Sequence, residues 1–247
     1  MSRGTLRALS LIILALLWEV VGRTKNAHLF PPLSVILWAW AELLLSGELL
    51  RALLVSFQAL TLGFLISVAT GVPLGLLMGR YRRLEAFLDL YMIALLSLPI
   101  ISVIPLLVIA FGLGLHSRVW IVFLFAFVII AVNTKAGVRN VDSTLTEMAR
   151  SFGAGEWELF LKVILPAALP MIMAGLRLGM GRAIVGMITS EVVLAVVGFG
   201  AMLMYFGASF QTPALFATIL TIILLAVVIL ALIQFLDRRL IPWHAST

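Results

Sequence analysis

The sequence predicts an all-α membrane protein with about six transmembrane helices and one long cytoplasmic loop. Of its 247 residues, 63% are hydrophobic and 11% are charged, and the mean hydropathy is +1.21. Soluble globular domains contain about 45–50% apolar and about 25% charged residues. Because charged side chains are costly in hydrocarbon, both differences indicate a chain embedded in lipid.

Hydropathy divides the chain, taken as one transmembrane domain over residues 1–247, into six spans of the length that a bilayer requires. The predicted spans cover residues 6–21, 53–78, 86–111, 119–132, 169–197 and 214–236. The third span contains Pro99 and Pro105, which predict a kink or break. The fifth span is rich in glycine in its first half.

The amino-terminal span has some features of a signal peptide. Arg3 and Arg7 precede an apolar run from Ala8 to Trp18. No small-x-small cleavage site follows this run, so the first span is expected to stay uncleaved. The chain has no cysteine, which excludes disulfides, a lipoprotein anchor and thiolate metal sites.

Lysine and arginine predict the orientation by the positive-inside rule. With the amino terminus in the cytoplasm, the outer segments contain Arg23, Lys25, Arg51 and Arg118. The inner segments then contain about three times as many cations: Arg3, Arg7, Arg80, Arg82, Arg83, Lys135, Arg139, Arg150, Lys162, Arg177, Arg182, Arg238 and Arg239. Six spans return the carboxyl terminus to the cytoplasm, and the net charge of +6 is not interpreted as nucleic-acid binding.

The outer segment between the first two spans predicts a short helix. Pro31 and Pro32 precede residues 33–40, which include two tryptophans. Tryptophan favours the membrane–water boundary, so an interfacial helix is one interpretation. A packing strut is the other.

The inner segment at residues 133–168 is the longest polar stretch and predicts two short helices. Asp142 or Thr144 can cap the first helix, and Thr144 with Glu147 fits a capping box. Gly153 supplies the left-handed residue that ends this helix. The second helix is expected to start near Gly155.

The second short helix has the charge pattern of a helix aligned with its own dipole. Glu156 and Glu158 lie in its first turn, and Lys162 lies toward its far end. Pro166 predicts a stop at Leu165.

This segment resembles the cytoplasmic EAA loop of permeases from binding-protein-dependent ABC importers, and we call residues 133–168 the EAA loop. The matching residues are Glu147, Met148, Ala149, Gly153, Val163, Leu165 and Pro166. Met148 and Val163 are conservative departures. The resemblance continues at residues 71–79, 111–114 and 175–179 and at Glu191, and it is greatest for the nitrate/sulfonate/taurine branch.

The resemblance implies a transport subunit of the bacterial inner membrane, surrounded by lipid and paired with a second permease copy as a homodimer. A cytoplasmic ABC ATPase would dock on the EAA loop, with Glu147 at the contact and Arg150 either pairing with the ATPase or exposed to solvent. Phe152 and Trp157 would anchor the ATPase or pack the loop. A periplasmic or lipid-anchored binding protein would deliver the solute, expected to be an anion such as a sulfonate, taurine or nitrate.

The chain lacks an ATP site of its own. A P-loop requires Gly-Lys-Ser/Thr, and no lysine here follows a glycine. We therefore expect no cofactor and no catalysis in this subunit, with ATP bound by the partner.

Polar residues inside the spans are the candidates for a translocation pathway. Glu191 lies deep in the fifth span after Thr189 and Ser190, and it either lines the pathway or makes a structural hydrogen bond. Ser97 and Ser102 flank Pro99, where they either line the pathway or satisfy backbone groups that proline frees.

Three rival functions remain to be weighed. An intramembrane enzyme is disfavoured because no H-E-x-x-H or G-x-S-x-G motif occurs. An ion-coupled secondary transporter usually has ionisable residues in several spans, whereas Glu191 is nearly alone. An ABC permease for a vitamin precursor or another organic solute stays open.

Overall fold

A computed structural model describes residues 3–24, 29–194 and 197–240 of the chain, and in these ranges it is helical without strands. The helices are α1 (Arg3–Thr24), α2 (Leu33–Leu45), α3 (Glu48–Arg80), α4 (Arg82–Ser97), α5 (Ile100–Phe111), α6 (Leu115–Arg139), α7 (Ser143–Ser151), α8 (Glu156–Leu159), α9 (Leu165–Leu194), α10 (Gly198–Ala208) and α11 (Thr212–Leu240). A π-helical turn, Phe160–Ile164, joins α8 to α9. Lys25 and the predicted span residues 195–196 lie outside the described ranges.

The all-α membrane fold class is confirmed. Five stretches are long and apolar enough to cross a bilayer, and they contain α1, α3, α6, α9 and α11. The pair α4 and α5 can supply a sixth span if it is taken as one broken span. These helices contain the six hydropathy segments, apart from residues 98–99 in the third and residues 195–197 at the end of the fifth.

The third span breaks at one proline and continues through the other. Helix α4 ends at Ser97, α5 begins at Ile100, and the two are bent by 99°. Pro105 lies inside α5 without interrupting it, so the expected distortion occurs at Pro99.

The fourth span is longer than hydropathy predicted. Residues 133–139, assigned to the EAA loop, continue α6 to Arg139. The charges that suggested a loop are paired with carboxylates of α4, because Lys135 Nζ lies 2.5 Å from Asp89 Oδ1 and Arg139 pairs with Glu85. Paired charges are far less costly in a span than isolated ones, so the helix does not end there.

The prediction that Pro166 stops the helix at Leu165 was wrong. Helix α9 begins at Leu165 and continues through Pro166. The preceding π turn uses i→i+5 bonds, with the Leu165 N–H donating to the Phe160 carbonyl. This wider turn changes the bonding register just where proline lacks a donor, and proline is tolerated in the first turn of a helix.

The chain forms two compact units. One unit comprises Phe57–Ser190 and Ala226–Thr247. Inside it, α3 packs closely on α6 through the four-residue glycine repeat. A Cβ on Gly75 would lie 2.5 Å from the Ala131 carbonyl oxygen, and one on Gly79 would lie 2.5 Å from Val138 Cβ. Glycine therefore allows the two backbones to approach, as small residues at this spacing do in membranes.

The other unit comprises Met1–Ser56 and Glu191–Leu225. Its core includes a stack of Trp18 on Phe30, with ring centroids 4.9 Å apart, and both rings meet Phe216 edge-on. Helix α2 belongs to this unit, where Trp40 Nε1 donates to Thr221 Oγ1 at 3.1 Å. The carboxylate of Glu19 accepts the backbone N–H of Ser34 at 3.0 Å, so a side chain from α1 caps the start of α2.

In the same unit, Glu191 caps helix α10. It is 0% exposed, and its Oε2 accepts the Ser56 hydroxyl at 2.8 Å and the Gly200 N–H at 3.2 Å. The Ser56 oxygen in turn accepts the Phe199 N–H at 3.2 Å. Gly198 has φ +74°, and a side chain at Gly198 or Gly200 would overlap Glu191. Two orphan donors of the first turn are thus satisfied by one buried pair.

We predict that Glu191→Ala destabilises the protein, because the Ser56 hydroxyl and the Gly200 N–H lose their buried acceptor at a cost of about 1–3 kcal/mol. Glu191→Gln keeps one oxygen acceptor and should retain more stability. Thermal unfolding in detergent, followed by size-exclusion chromatography, measures the difference. Glu42→Ala, at an exposed carboxylate of α2, is the control. An alanine variant as stable as the wild type would contradict the capping role.

Candidate functional site

The first short helix of the EAA loop begins with an aspartate cap. Asp142 Oδ1 accepts the Thr144 N–H at 2.9 Å, and this backbone hydrogen bond lowers the pKa of Asp142 below its ordinary value. Helix α7 starts at Ser143, so Thr144 lies inside it. The Thr144–Glu147 capping box is therefore wrong, and the Asp142 alternative is right.

The turn that follows α7 is a Schellman motif centred on Gly153. Gly153 has φ +82°. Its N–H donates to the Arg150 carbonyl at 2.9 Å, and the Ala154 N–H donates to the Ala149 carbonyl at 3.1 Å. These two bonds are the signature of that motif, and they direct the chain from α7 into α8.

Ion pairs centred on Glu156 hold the EAA loop. Glu156 Oε1 accepts from Arg150 Nη2 of α7 at 2.9 Å, and Oε2 pairs with Arg80 at the end of α3. Arg150, predicted to contact a partner or solvent, is thus paired within the chain while its side chain remains 59% exposed. Helices α7, α8 and α3 are connected at one residue.

Three residues of the predicted motif belong to the core beneath the loop. Ala149, Val163 and Leu165 are partly buried and pack against one apolar cluster. The buried members of this cluster are Val138, Leu159, Ile164, Ala168 and Ile172. Small size at Ala149 and apolar character at Val163 and Leu165 therefore have a structural explanation.

The outer face of α7 presents an apolar stripe. Leu145, Met148 and Phe152 lie along one side of the helix, and Met148 and Phe152 are 53% and 85% exposed. Glu147 is exposed beside Met148, and it has no ion-pair partner among the described residues. A short helix with its larger apolar side chains facing outward indicates a contact surface.

Trp157 lies between the loop and the end of α3. It is 72% exposed, and its ring stacks on Phe160 with centroids 6.4 Å apart. With Leu77 and Tyr81 it lines a cavity of about 460 Å³. Trp157 therefore partly packs the loop, whereas Phe152 does not.

The pathway candidates have different environments. Ser190 is buried and donates within its helix to the Met187 carbonyl at 2.7 Å, while Thr189 is half-buried. Glu191 accepts the hydrogen bonds that cap α10. Ser97 and Ser102 are exposed, and neither hydroxyl has a hydrogen-bond partner in the described part of the chain. The interpretation that these serines satisfy freed backbone groups has no support.

Arg182 is a candidate that sequence reasoning missed. It was counted among the inner cations, but it lies well inside α9 and lines a cavity of about 230 Å³. This cavity opens at the Pro99 break and is otherwise lined by apolar side chains such as Phe125 and Ile129. Its position near the middle of the predicted fifth span, residues 169–197, was the signal available in the sequence.

Comparison with known proteins identifies the family. The family described as "Binding-protein-dependent transport system inner membrane component" matches residues 71–242. SsuC of Bacillus subtilis (strain 168), named as a candidate aliphatic sulfonates transport permease, is 34% identical over 236 residues, covering 95% of this chain and 86% of SsuC.

Two further relatives have different named solutes. The taurine transport system permease protein TauC of Escherichia coli (strain K12) is 30% identical, covering 100% of this chain and 90% of TauC. The riboflavin transport system permease protein RibX of Chloroflexus aurantiacus is 31% identical, covering 96% of this chain and 89% of RibX.

Solved structures agree on the fold. A chain of an amino acid ABC transporter superposes with a TM-score of 0.56 at 21% identity, covering 81% of this chain and 95% of that one. A chain of the MetNI methionine ABC transporter gives 0.53 at 22% identity, covering 77% and 91%. None of these matches supports an ion-coupled secondary transporter. The chain therefore belongs to the family of binding-protein-dependent transport system inner membrane components, the multi-pass permease subunits of ABC importers.

Proposed function

We propose that this permease carries a small organic anion, such as an aliphatic sulfonate or taurine, and is driven by a separate ABC ATPase that docks on the EAA loop. The exposed stripe of Leu145, Met148 and Phe152 is the observation that carries the docking proposal. In water such a stripe is unfavourable, and a partner that covers it gains the free energy of apolar burial.

The EAA loop is connected to spanning helices, so movement of a docked partner would be passed to them. Glu156 ties α7 and α8 to Arg80 of α3, and the π turn continues without a gap into α9. Movement of the docked loop would therefore reach two spanning helices together. Rigid-body motion of this kind underlies alternating access in transporters.

The energy source and the orientation complete the proposal. No P-loop motif occurs in the sequence, so ATP is bound by the partner and this subunit is non-catalytic. The EAA loop and both termini face the cytoplasm of a bacterial cell, in accord with the cation distribution. A binding protein delivers the solute, and a second permease copy completes the pathway.

The solute class rests on two relatives, SsuC and TauC, that are named for sulfonates and taurine. An organic solute of the vitamin type is the second candidate, because RibX is similar to nearly the same extent. The two differ in the sulfonate group, which taurine carries and riboflavin lacks, so transport assays with taurine and with riboflavin distinguish them.

Purification in mild detergent with mass spectrometry, followed by reconstitution, tests the proposed function. We expect a stoichiometric P-loop ATPase to remain bound, and proteoliposomes with its binding protein to take up taurine only when ATP is supplied. A permease without ATPase, whose uptake follows an ion gradient alone, would overturn the proposal. ATP-driven uptake of riboflavin but not taurine would move the solute to the vitamin class.

Gly153→Val should uncouple ATP hydrolysis from uptake, because valine at φ +82° is strained by about 1–3 kcal/mol and the turn reorients α7. No atom lies within 4 Å of the added Cβ, so the strain is in the backbone and not a clash. Gly155→Val is the matched control, since Gly155 also has open space and an ordinary φ of −69°. Equal uptake by both variants would refute the role of the turn.

Glu147→Lys should weaken ATPase association by roughly tenfold or more, since reversing a charge at a docking contact is unfavourable. The amount of ATPase retained during purification gives the readout. Glu48→Lys makes the same change at an exposed glutamate that begins α3, outside the loop. Glu147 would lose its docking role if both variants retained the wild-type amount.

A further inference from the structure

The cavity at the Pro99 break lies at the middle depth of the spans. Phe125 and Ile129 of α6 line it. Phe125 lies ten residues after Leu115, where α6 begins, and Ile129 lies ten residues before Arg139, where α6 ends. At 1.5 Å per residue, both lie about 15 Å from the nearer helix end. The cavity therefore lies near the midpoint of α6.

Arg182 brings a positive charge into this cavity. It is the one charged residue among those lining it, and within the described ranges its guanidinium has no ion-pair or hydrogen-bond partner. Several other cations of the same unit are paired with carboxylates. Arg177 of α9 lies 2.6 Å from Asp237, and Lys135 of α6 pairs with Asp89. The Arg182 side chain is exposed in the isolated chain, and an unpaired cation within a membrane span indicates a function.

The rest of the lining is suited to an organic anion. The amino end of α5 borders the cavity through Pro99, Ile100 and Ile101, and a helix amino terminus adds positive potential. Apolar side chains, including Leu98 and Phe125, form the remaining wall. The volume of about 230 Å³ compares with about 30 Å³ for one water molecule, so a solute of several heavy atoms fits.

We propose that Arg182 is the anion-recognition residue of the translocation pathway, and that a sulfonate or similar oxyanion pauses against its guanidinium beside the Pro99 break. The planar fork of arginine can donate two hydrogen bonds to one oxyanion group, which a lysine cannot match in geometry. The short aliphatic part of the solute would contact the apolar wall. This inference rests on the proposed function, since it assigns the anion selectivity to a residue of the permease itself.

Ser97 and Ser102, the earlier pathway candidates, flank the Pro99 break but are not part of the cavity lining. Both have free hydroxyls among the described residues. Helix α5 starts with the Ser102 N–H donating to the Pro99 carbonyl at 2.8 Å, so its first turn is closed by the backbone alone. Because neither serine lines the cavity, the proposal does not depend on their hydroxyls.

The test is ATP-driven uptake of taurine by the complete transporter in proteoliposomes, with wild type, Arg182→Lys and Arg182→Gln. We expect Arg182→Gln to raise the KM for taurine at least about tenfold, the factor that a charge-assisted hydrogen bond provides. The KM of Arg182→Lys for taurine should lie between those of the wild type and Arg182→Gln. Arg83→Gln, which removes an exposed cation in the first turn of α4, should match the wild type.

Co-purification of the ATPase with each variant separates folding from recognition. Retained ATPase, a raised KM and partial rescue by lysine support the proposal. Wild-type KM in Arg182→Gln overturns it while leaving the proposed function intact. Equal loss in the lysine and glutamine variants also overturns it, because a lysine charge should retain part of the affinity for an oxyanion. Loss of the ATPase in the variants overturns it too, because Arg182 would then have a structural role. Absence of taurine uptake in the wild type contradicts the anionic solute of the proposed function instead.

Discussion

The constraint that organises this protein is that backbone polar groups in hydrocarbon must find partners within the chain. Helices are therefore extended wherever possible, and each interruption is closed by a specific group. The carboxylate of Glu19 accepts a donor at the start of α2, and that of Glu191 accepts one at the start of α10. Glu191 was a candidate for the translocation pathway, yet both carboxylates complete a short helix. Their carboxylate oxygens serve as acceptors for backbone N–H groups at helix starts.

The same reasoning separates structural cations from functional ones. Lys135 and Arg139 extend α6 because Asp89 and Glu85 neutralise them, and Arg80 and Arg150 hold the EAA loop through Glu156. Each of these charges has a partner that accounts for its position. Arg182 faces a cavity without one among the described residues, so the fold gives no structural reason for its charge. That difference, more than depth alone, makes it a candidate for solute recognition.

Local rules predicted the features that depend on nearest neighbours. The Asp142 cap, the left-handed Gly153 and the break at Pro99 follow from backbone geometry that a few residues determine. Features that depend on distant partners were missed. Helix α10 was not predicted because its cap comes from Glu191 and Ser56, which are distant in sequence. The start of the EAA loop was placed too early because the carboxylates that pair with Lys135 and Arg139 lie on α4. Pro166 was misread because a π turn left no trace in a hydropathy pattern.

The continuity of the chain through that π turn connects the docking surface to the proposed anion site. The segment from α8 through Phe160–Ile164 into α9 has no loop, and Arg182 lies about 25 Å along α9 from Leu165 at 1.5 Å per residue. If α9 moves as a rigid rod with the EAA loop, a tilt of about 10° displaces Arg182 by about 4 Å, enough to make or break contact with a bound anion. A proline stop at Leu165 would have placed a flexible joint in that rod. Its absence is therefore consistent with coupling by leverage, in which the loop and the arginine move as parts of one element.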